Sequence, residues 1–329
     1  FIKGTKFNSC LFLLLFIFTF PFQVRSLMYT PELFLTGHFN PFVSFFLYLA
    51  DLFLLLAFFA WGWAFFRDEI HEVQWGNLQF TLLLFIFFGF LLSSVSVAGD
   101  WWLSLLLVLR FVEWFMLYLL LLQDFVRMLV VAKVFLLSMG MQSLLALAQF
   151  FLQHSVGLSF LGEPLLSPTT LGVAKIDLLT SKIIRPYGTF PHANVLAGAV
   201  GMAGVLFLAL WPVLKKNHQQ FWIILSVGFL LTFVLAFSRG AFVALLLAAI
   251  IYVIRKKVPT RRLLLYGGSF VLLLIAALFV LGVNDAFFTR VTGILSDSAA
   301  QERLEYLSIS SKMLQQAPWG VGLGNFSLH

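Results

Sequence analysis

Apolar runs as long as a membrane helix recur along the chain and limit its folds more than any other feature. They cover residues 10–22, 42–66, 78–97, 103–122, 128–149, 194–213, 221–254 and 263–283. A helix needs about 20 apolar residues to cross a bilayer core that is about 30 Å thick. The chain is 61% hydrophobic and only 11% charged, whereas globular domains are about 45–50% apolar and 25% charged. The chain therefore folds in lipid.

These runs are continuous and lack the alternating ten-residue pattern of a membrane β-barrel. They predict an all-α, polytopic helical membrane protein with about nine transmembrane helices and additional extracytoplasmic loop segments. The net charge of +7 does not indicate nucleic acid binding. The basic residues cluster beside apolar runs, which is typical of cytoplasmic loops.

The run at residues 221–254 is too long for one crossing. As a single helix its 34 residues would measure about 51 Å. It would also place Lys215–Lys216 and Arg255–Lys257 on opposite sides of the membrane. Two short helices that meet at Arg239 return both basic clusters to the cytoplasm, as the positive-inside rule favours. The sequence therefore predicts a hairpin with Arg239 at its tip.

This hairpin fixes the rest of the predicted topology. The N-terminus is cytoplasmic, and the first run is a membrane helix, because no small-residue cleavage site of a signal peptide follows it. Residues 1–153 form about five transmembrane helices, and residues 154–193 form an extracytoplasmic loop that cannot cross lipid. Residues 194–283 hold helices six to nine, and residues 284–329 begin a large extracytoplasmic loop. That loop contains a polar helix at residues 298–316.

Arg239 is the strongest candidate for a binding residue. Its helices are each short for the bilayer, so the tip of the hairpin should lie near the outer headgroups. Ser238 and Gly240 let the backbone turn and a ligand approach, and the arginine fork suits phosphate oxygens. The alternative is an interfacial arginine that contacts ordinary lipid headgroups or helix-end carbonyls.

Arg185, His192 and Asn194 form a second candidate group on the same predicted side. Pro191 can start the sixth span, and His192 or Asn194 can supply polar groups at its N-terminus, where anions are favoured. Arg185 and Arg239 could together hold a pyrophosphate. The alternative is that His192 and Asn194 only cap the helix and that Arg185 is a loop charge.

Asp51, Arg110 and Glu113 are charged residues within predicted spans. Arg110 and Glu113 lie three residues apart on one helix face, and Asp51 lies inside the second predicted span. A charge at the bilayer centre costs roughly 2.5–3.5 kcal/mol on insertion scales, so we expect these residues to face the bundle and pair. A structural pair, either Arg110–Glu113 or Arg110–Asp51, is favoured over a proton or ion path.

Other motifs of known chemistry do not fit. No strand precedes the glycines at positions 320, 322 and 324, so a nucleotide loop is not supported. The sequence has no Asp-x-Asp metal pair, no second histidine near His71–Glu72 and no Walker lysine motif. We therefore predict no metal and no cofactor.

Three segments resemble the O-antigen ligase and O-antigen polymerase superfamily of bacterial membrane glycosyltransferases, which takes part in lipopolysaccharide biosynthesis. They are residues 185–194 (RPYGTFPHAN), 237–241 (FSRGA) and 318–326 (PWGVGLGNF). All three occur in the family's order, from Arg185 to the end of the chain. The N-terminal half agrees only as a set of spans.

The resemblance implies inverting, metal-independent transfer of a glycan from an undecaprenyl-diphosphate-linked donor to an acceptor hydroxyl on the extracytoplasmic side. Arg185 and Arg239 would hold the pyrophosphate, with His192 and Asn194 beside them. In relatives a histidine further along the large loop is thought to be the base. The chain begins with Phe1 and stops at His329, so we treat it as a fragment without its C-terminus and assign no catalytic base.

The implied partners are the lipid-linked donor, a glycan, lipid or protein hydroxyl acceptor, and membrane lipid. The implied location is the bacterial inner membrane. Two alternatives stay open: a transporter or flippase of lipid-linked glycans, suggested by Arg110, Glu113 and Asp51, and a non-catalytic scaffold for envelope assembly.

Overall fold

The fold is mostly helical, as the apolar runs predict. The computed structural model describes residues 4–31, 39–40, 43–177, 182–214, 218–256 and 298–328. Among these residues, five helices are long and apolar enough to cross a membrane. They are α2 (Leu49–Phe66), α3 (Leu78–Val95), α4 (Trp101–Leu122), α5 (Met128–Leu152) and α6 (Ala193–Leu214).

Three shorter apolar helices correspond to other predicted spans. They are α1 (Thr5–Thr19), α7 (Gln219–Leu235) and α8 (Arg239–Lys256). The ninth predicted span, residues 263–283, lies outside the described residues. A polar helix, α9 (Ser298–Gln316), follows, and its bounds agree with the prediction.

The second predicted span begins later than its apolar sequence suggests. Phe45–Tyr48 is a strand, β2, which pairs antiparallel with β1 (Arg25–Tyr29), and α2 begins at Leu49. Asp51 therefore lies in the first turn of α2, where its Oδ2 accepts a hydrogen bond from the N–H of Tyr48 at 2.8 Å. The prediction that Asp51 lies inside this span is confirmed. The predicted start at residue 42 was wrong, because a short aromatic run fits a strand as well as a helix.

The described chain forms two compact units. The first comprises Phe1–Phe20, Val24–Val134 and Ser298–His329. Its core is apolar and comes from α1, α2 and the end of α4. The buried side chains include Leu13, Phe16, Leu54, Trp61 and Leu120.

The second unit comprises Pro21–Gln23 and Phe135–Asp297. Its core joins most of α5 to α6, α7 and the start of α8. Helix α6 packs against both α7 and α8. A small antiparallel hairpin, β3 (Lys175–Asp177) with β4 (Lys182–Ile184), precedes α6.

The chain breaks between α7 and α8, at the place where the length of the apolar run requires it. Helix α7 ends at Leu235 and α8 begins at Arg239. The residue in the left-handed backbone region is Phe237, with φ of 46°, and its side chain is buried. Gly240 lies in the first turn of α8 and does not have a positive φ, so the prediction that it allows the turn was wrong.

Candidate anion site at the α7–α8 break

Arg185 links the loop before α6 to the break between α7 and α8. It directly follows β4, and its side chain is only 2% exposed. Its Nε donates a hydrogen bond to the carbonyl oxygen of Ala236 at 2.7 Å. Its Nη2 donates to Oδ1 of Asn194, in the first turn of α6, at 2.5 Å. The first two of the three recognised segments therefore lie side by side in the second unit.

Arg239 is the first residue of α8 and is partly exposed. Ser238 caps this helix, because its Oγ accepts from the N–H of Ala241 at 3.4 Å and its carbonyl accepts from Phe242 at 3.0 Å. A cation in the first turn of a helix lies at the positive end of the helix dipole. The charge of Arg239 and this dipole therefore add, and both attract an anion.

His192 is the N-cap of α6. Its Nδ1 accepts a hydrogen bond from the N–H of Asn194 at 3.0 Å, and its carbonyl accepts from Val195 and Leu196. This contact requires Nδ1 to be unprotonated. Asn194 in turn orients Arg185. The structure thus brings Arg185, His192 and Asn194 together, with capping and positioning roles for the last two.

Two glutamines on α5 hold the turn that follows Arg185, and the sequence reasoning missed both of them. Gln149 accepts from the N–H groups of Tyr187 and Gly188 at 3.1 and 2.8 Å, and it donates to the carbonyl of Gly188 at 2.8 Å. Gln142 accepts from the N–H of Thr189 at 2.9 Å. The sequence spacing could have identified them, because Gln142 and Gln149 are seven residues apart and share one helix face.

Gly188 meets two constraints at this turn. Its φ is +60°, and a Cβ atom there would lie 2.5 Å from Oε1 of Gln142. Any side chain would be strained by the backbone and would displace the glutamine. Thr189 also holds this turn in place, because its Oγ1 donates a hydrogen bond to the carbonyl of Pro21 at 2.7 Å.

The buried carboxylate of Glu163 stabilises the same turn through its hydrogen bond with Gln149. Burial tends to raise the pKa of Glu163, but hydrogen bonds from Gln149 and from the N–H groups of Val156, Leu158 and Gly157 outweigh it and lower that pKa. These bonds are 2.6–2.9 Å long. Glu163 is thus an ionised acceptor that fixes the orientation of the Gln149 amide.

Open space lies beside Gly240. A Cβ atom built there would meet no heavy atom within 4 Å, and the residue is exposed. The start of α8 next to Arg239 therefore has room for another group, although Gly240 is not needed for the turn. Among the described residues, no group of three His, Cys, Asp or Glu side chains could hold a metal ion.

One protein family matches part of the chain. Residues 223–328 match the family described as O-antigen ligase. The resemblance to the O-antigen ligase and polymerase family is confirmed. No curated protein and no solved structure matches the chain. The matched O-antigen ligase segment includes Arg239 and the glycine-rich turn, whereas residues 185–194 lie outside it.

The glycine-rich turn of the O-antigen ligase segment is bound in the first unit. Asn325 is buried; its Oδ1 accepts from the N–H of Asp100 at 2.6 Å, and its Nδ2 donates to Oγ of Ser104 at 2.8 Å. Gly322 and Gly324 have positive φ, and a Cβ on either would collide with Ala98 or with Leu107. The turn therefore fixes the chain to the N-terminal end of α4, and this contact is a structural explanation for its glycines.

Arg110, Asp51 and Glu113 form one cluster in the first unit. Nη1 of Arg110 lies 2.6 Å from Oδ2 of Asp51 and 2.6 Å from Oε2 of Glu113. Its Nη2 donates to the carbonyl of Phe46 at 2.5 Å. The two pairs that the sequence offered as alternatives are both present. The cluster joins β2, α2 and α4, which is the structural role that was favoured.

Proposed function

We propose that the chain is part of a membrane glycan ligase or polymerase that uses a polyprenyl-diphosphate-linked donor. The observation that carries this proposal is the hydrogen bond from Arg185 to the carbonyl of Ala236. It joins the RPYGTFPHAN segment to the FSRGA segment, and the second of these lies inside the O-antigen ligase match. Its consequence is a concentration of positive charge at the starts of α6 and α8.

The two arginines have different roles in this proposal. Arg239 is partly exposed beside the open space at Gly240, so it contacts the diphosphate directly. Arg185 is buried and holds the α7–α8 break and Asn194 in place, so it acts mainly as a positioning residue. This modifies the symmetric pyrophosphate clamp that the sequence suggests.

The expected reaction is an inverting transfer without a metal. The acceptor hydroxyl attacks the anomeric carbon, the bond from that carbon to the diphosphate oxygen breaks, and the polyprenyl diphosphate leaves with the electron pair. A base, which we do not assign to any described residue, takes the hydroxyl proton. Arg239 and the N-terminal dipole of α8 stabilise the charge that develops on the leaving group.

The location of this chemistry follows from the predicted topology. Helices α7 and α8 contain 17 and 18 residues, which is slightly short for a bilayer of about 30 Å. The break between them then lies near one membrane boundary, and the positive-inside rule favours the extracytoplasmic one. The protein would be a multi-pass inner-membrane protein with its N-terminus in the cytoplasm.

A transporter or flippase is less well supported. Its motivation was the set of charges at Asp51, Arg110 and Glu113, and these side chains pair with one another. A non-catalytic scaffold would keep the fold but would not need a cation beside open space at the start of α8.

Arg239→Ala is the direct test. Glycan transfer should be measured in detergent with the longest natural form of the protein, a polyprenyl-diphosphate-linked donor and an acceptor glycan. Loss of one donor to a developing oxyanion typically costs roughly 100-fold or more in rate. Arg239→Lys should retain part of the activity, because it keeps the charge and loses the fork.

The matched control is Arg67→Ala, which removes an exposed arginine at the end of α2 and should leave the rate unchanged. Undiminished transfer by Arg239→Ala at normal expression would refute the leaving-group role. A flippase would give no glycan transfer with any variant in detergent, because it moves the donor between two membrane faces and forms no glycosidic bond.

A further inference from the structure

Helix α9 carries a stripe of leucines on one side, which we call its apolar side. At 100° per residue, Leu304, Leu307 and Leu314 fall within one quarter of the helix circumference. The half of the helix that includes this stripe also contains Tyr306, Met313, Ser310, Ser311 and Arg303. The opposite half is mainly polar, with Gln301, Glu302, Glu305, Ser308, Lys312 and Gln315, and Ile309 is its one large apolar side chain. This is the pattern of a helix that lies between an apolar and an aqueous phase.

The apolar side of α9 is largely exposed. Leu304, Leu307 and Leu314 are 67%, 66% and 60% exposed, and Trp319, just beyond the helix, is 90% exposed. Single exposed apolar residues are ordinary, but several on one side of one helix indicate an interaction surface.

The position of this helix relative to the membrane follows from the turn that comes after it. Asn325 is hydrogen-bonded to Asp100, the N-cap of α4, and α4 is a candidate membrane span. Trp101 and Trp102 are exposed at this end of α4, and tryptophans at the end of a span mark the membrane–water interface. The turn is therefore held at that interface.

The connection from the helix to the turn is short. Only five residues lie between Gln316 and Gly322, which limits the distance between these two residues to roughly 20 Å. The N–H of Ala317 bonds to Met313 and that of Gly320 to Ala317, so the connection is compact. The C-terminal end of α9 must therefore lie close to the membrane surface.

We propose that α9 lies flat in the membrane–water interface, with Leu304, Leu307 and Leu314 in the outer part of the acyl layer. Its partner is the bilayer that α4 spans. Trp319 continues the apolar side, and Arg303 can extend its charged end back to the headgroups. The described charges of the helix balance, with Glu302 and Glu305 against Arg303 and Lys312. Binding therefore depends on apolar area and is insensitive to salt.

Spin labels on single cysteines test this placement in the whole chain. Cys10 is the only native cysteine, so Cys10→Ala provides the background. Leu304→Cys, Leu307→Cys and Leu314→Cys are compared with Gln301→Cys, Glu305→Cys and Lys312→Cys in nanodiscs. We expect the leucine positions to be accessible to oxygen and the polar positions to a water-soluble nickel complex, with a period of 3.6 residues.

Two results would overturn the proposal. Nickel access at both sets of positions would place α9 in water. Low access to both reagents at the leucine positions would mean that protein covers the apolar side.

A second measurement avoids cysteine substitution. Lipids brominated near the headgroups should quench the tryptophan fluorescence of the native protein more than that of Trp319→Phe. The reason is that Trp319 adds a fluorescence component that lipid can reach. Quenching of that component by acrylamide instead would place the tryptophan in water and contradict the proposal. Neither measurement depends on glycan transfer.

Discussion

The two units of the molecule each contain an arginine that joins several elements, and the two arginines are held by different acceptors. In the first unit, Arg110 lies 2.6 Å from two carboxylates, those of Asp51 and Glu113. In the second unit, Arg185 donates to the carbonyl of Ala236 and to the side-chain amide of Asn194. Both hold chain segments together, the first through two carboxylates and the second through hydrogen bonds to a carbonyl and an amide oxygen.

This difference separates a structural arginine from one that can serve a binding site. Carboxylates neutralise a guanidinium and cancel its field at a distance, whereas carbonyl and amide oxygens orient it by hydrogen bonds. The environment of Arg110 is suited to joining β2, α2 and α4. The environment of Arg185 is suited to orienting the loop beside Arg239, where we propose that a diphosphate binds.

Substitution of Arg110 is expected to have the largest effect on stability. Arg110→Met leaves Asp51 and Glu113 close together without their shared cation, and breaking such a pair typically costs about 3–5 kcal/mol. The triple variant Arg110→Met, Asp51→Asn, Glu113→Gln should recover most of that loss. Both effects are measured by heating the protein in detergent and recording, by size-exclusion chromatography, how much of it still elutes as folded protein.

The corresponding experiment on Arg185 should give the opposite result. Arg185→Met with Asn194→Leu should fail to restore transfer, because the break at Ala236 still lacks its donor. A full recovery of activity in that double variant would remove the distinction between the two arginines.

Gly188→Ala should have the next largest effect. Its methyl group would lie against Oε1 of Gln142 at a φ of +60°, so both the backbone and the glutamine must move. A strained left-handed residue alone costs roughly 1–3 kcal/mol. We expect a lower unfolding temperature and reduced transfer together. Unchanged stability would mean that the glutamines do not hold the turn.

Glu163→Gln should show a pH-dependent and smaller effect. Because hydrogen bonds lower the pKa of Glu163 below its usual 4.5 in the folded state, its carboxylate stabilises the protein fully above that usual value. The contribution is lost as the pH falls through the lower folded value. The native protein should therefore be more stable than the variant at pH 7, and this difference should shrink below about pH 4.5. A difference that is independent of pH would contradict this account.

Gly240→Ala should have the smallest effect on stability. The glycine is in the first turn of α8 with open space beside it, so alanine should change the free energy of unfolding by less than about 1 kcal/mol, with stabilisation expected. Transfer should nevertheless fall if the donor approaches the backbone there. Loss of stability without loss of transfer would argue against a ligand at this position.

Much of the helical architecture follows from hydropathy and length. The break before Arg239 was predictable because 34 apolar residues exceed one crossing, and α9 was predictable from its polar sequence and the proline that follows it. The start of α2 was not predictable, because Phe45–Tyr48 is apolar enough for a helix and becomes a strand only by pairing with Arg25–Tyr29.

The candidate site was predictable in its residues and not in their roles. Arg185 and Arg239 are visible as isolated cations beside apolar runs, but the burial of Arg185 depends on contacts with Ala236 and Asn194. Gln142 and Gln149 were visible as polar residues on one face of a span. Their partners lie about forty residues away in the chain, and local sequence patterns do not specify contacts at that distance.

The bond between Asn325 and Asp100 spans 225 residues and therefore sets an order of assembly. The start of α4 enters the membrane long before the ribosome has made its partner. Until then Asp100 and Ser104 must be satisfied by water or by lipid headgroups, and closure of this long loop comes late. A polypeptide that ends before residue 325 cannot make this contact, and the start of α4 then stays open to water.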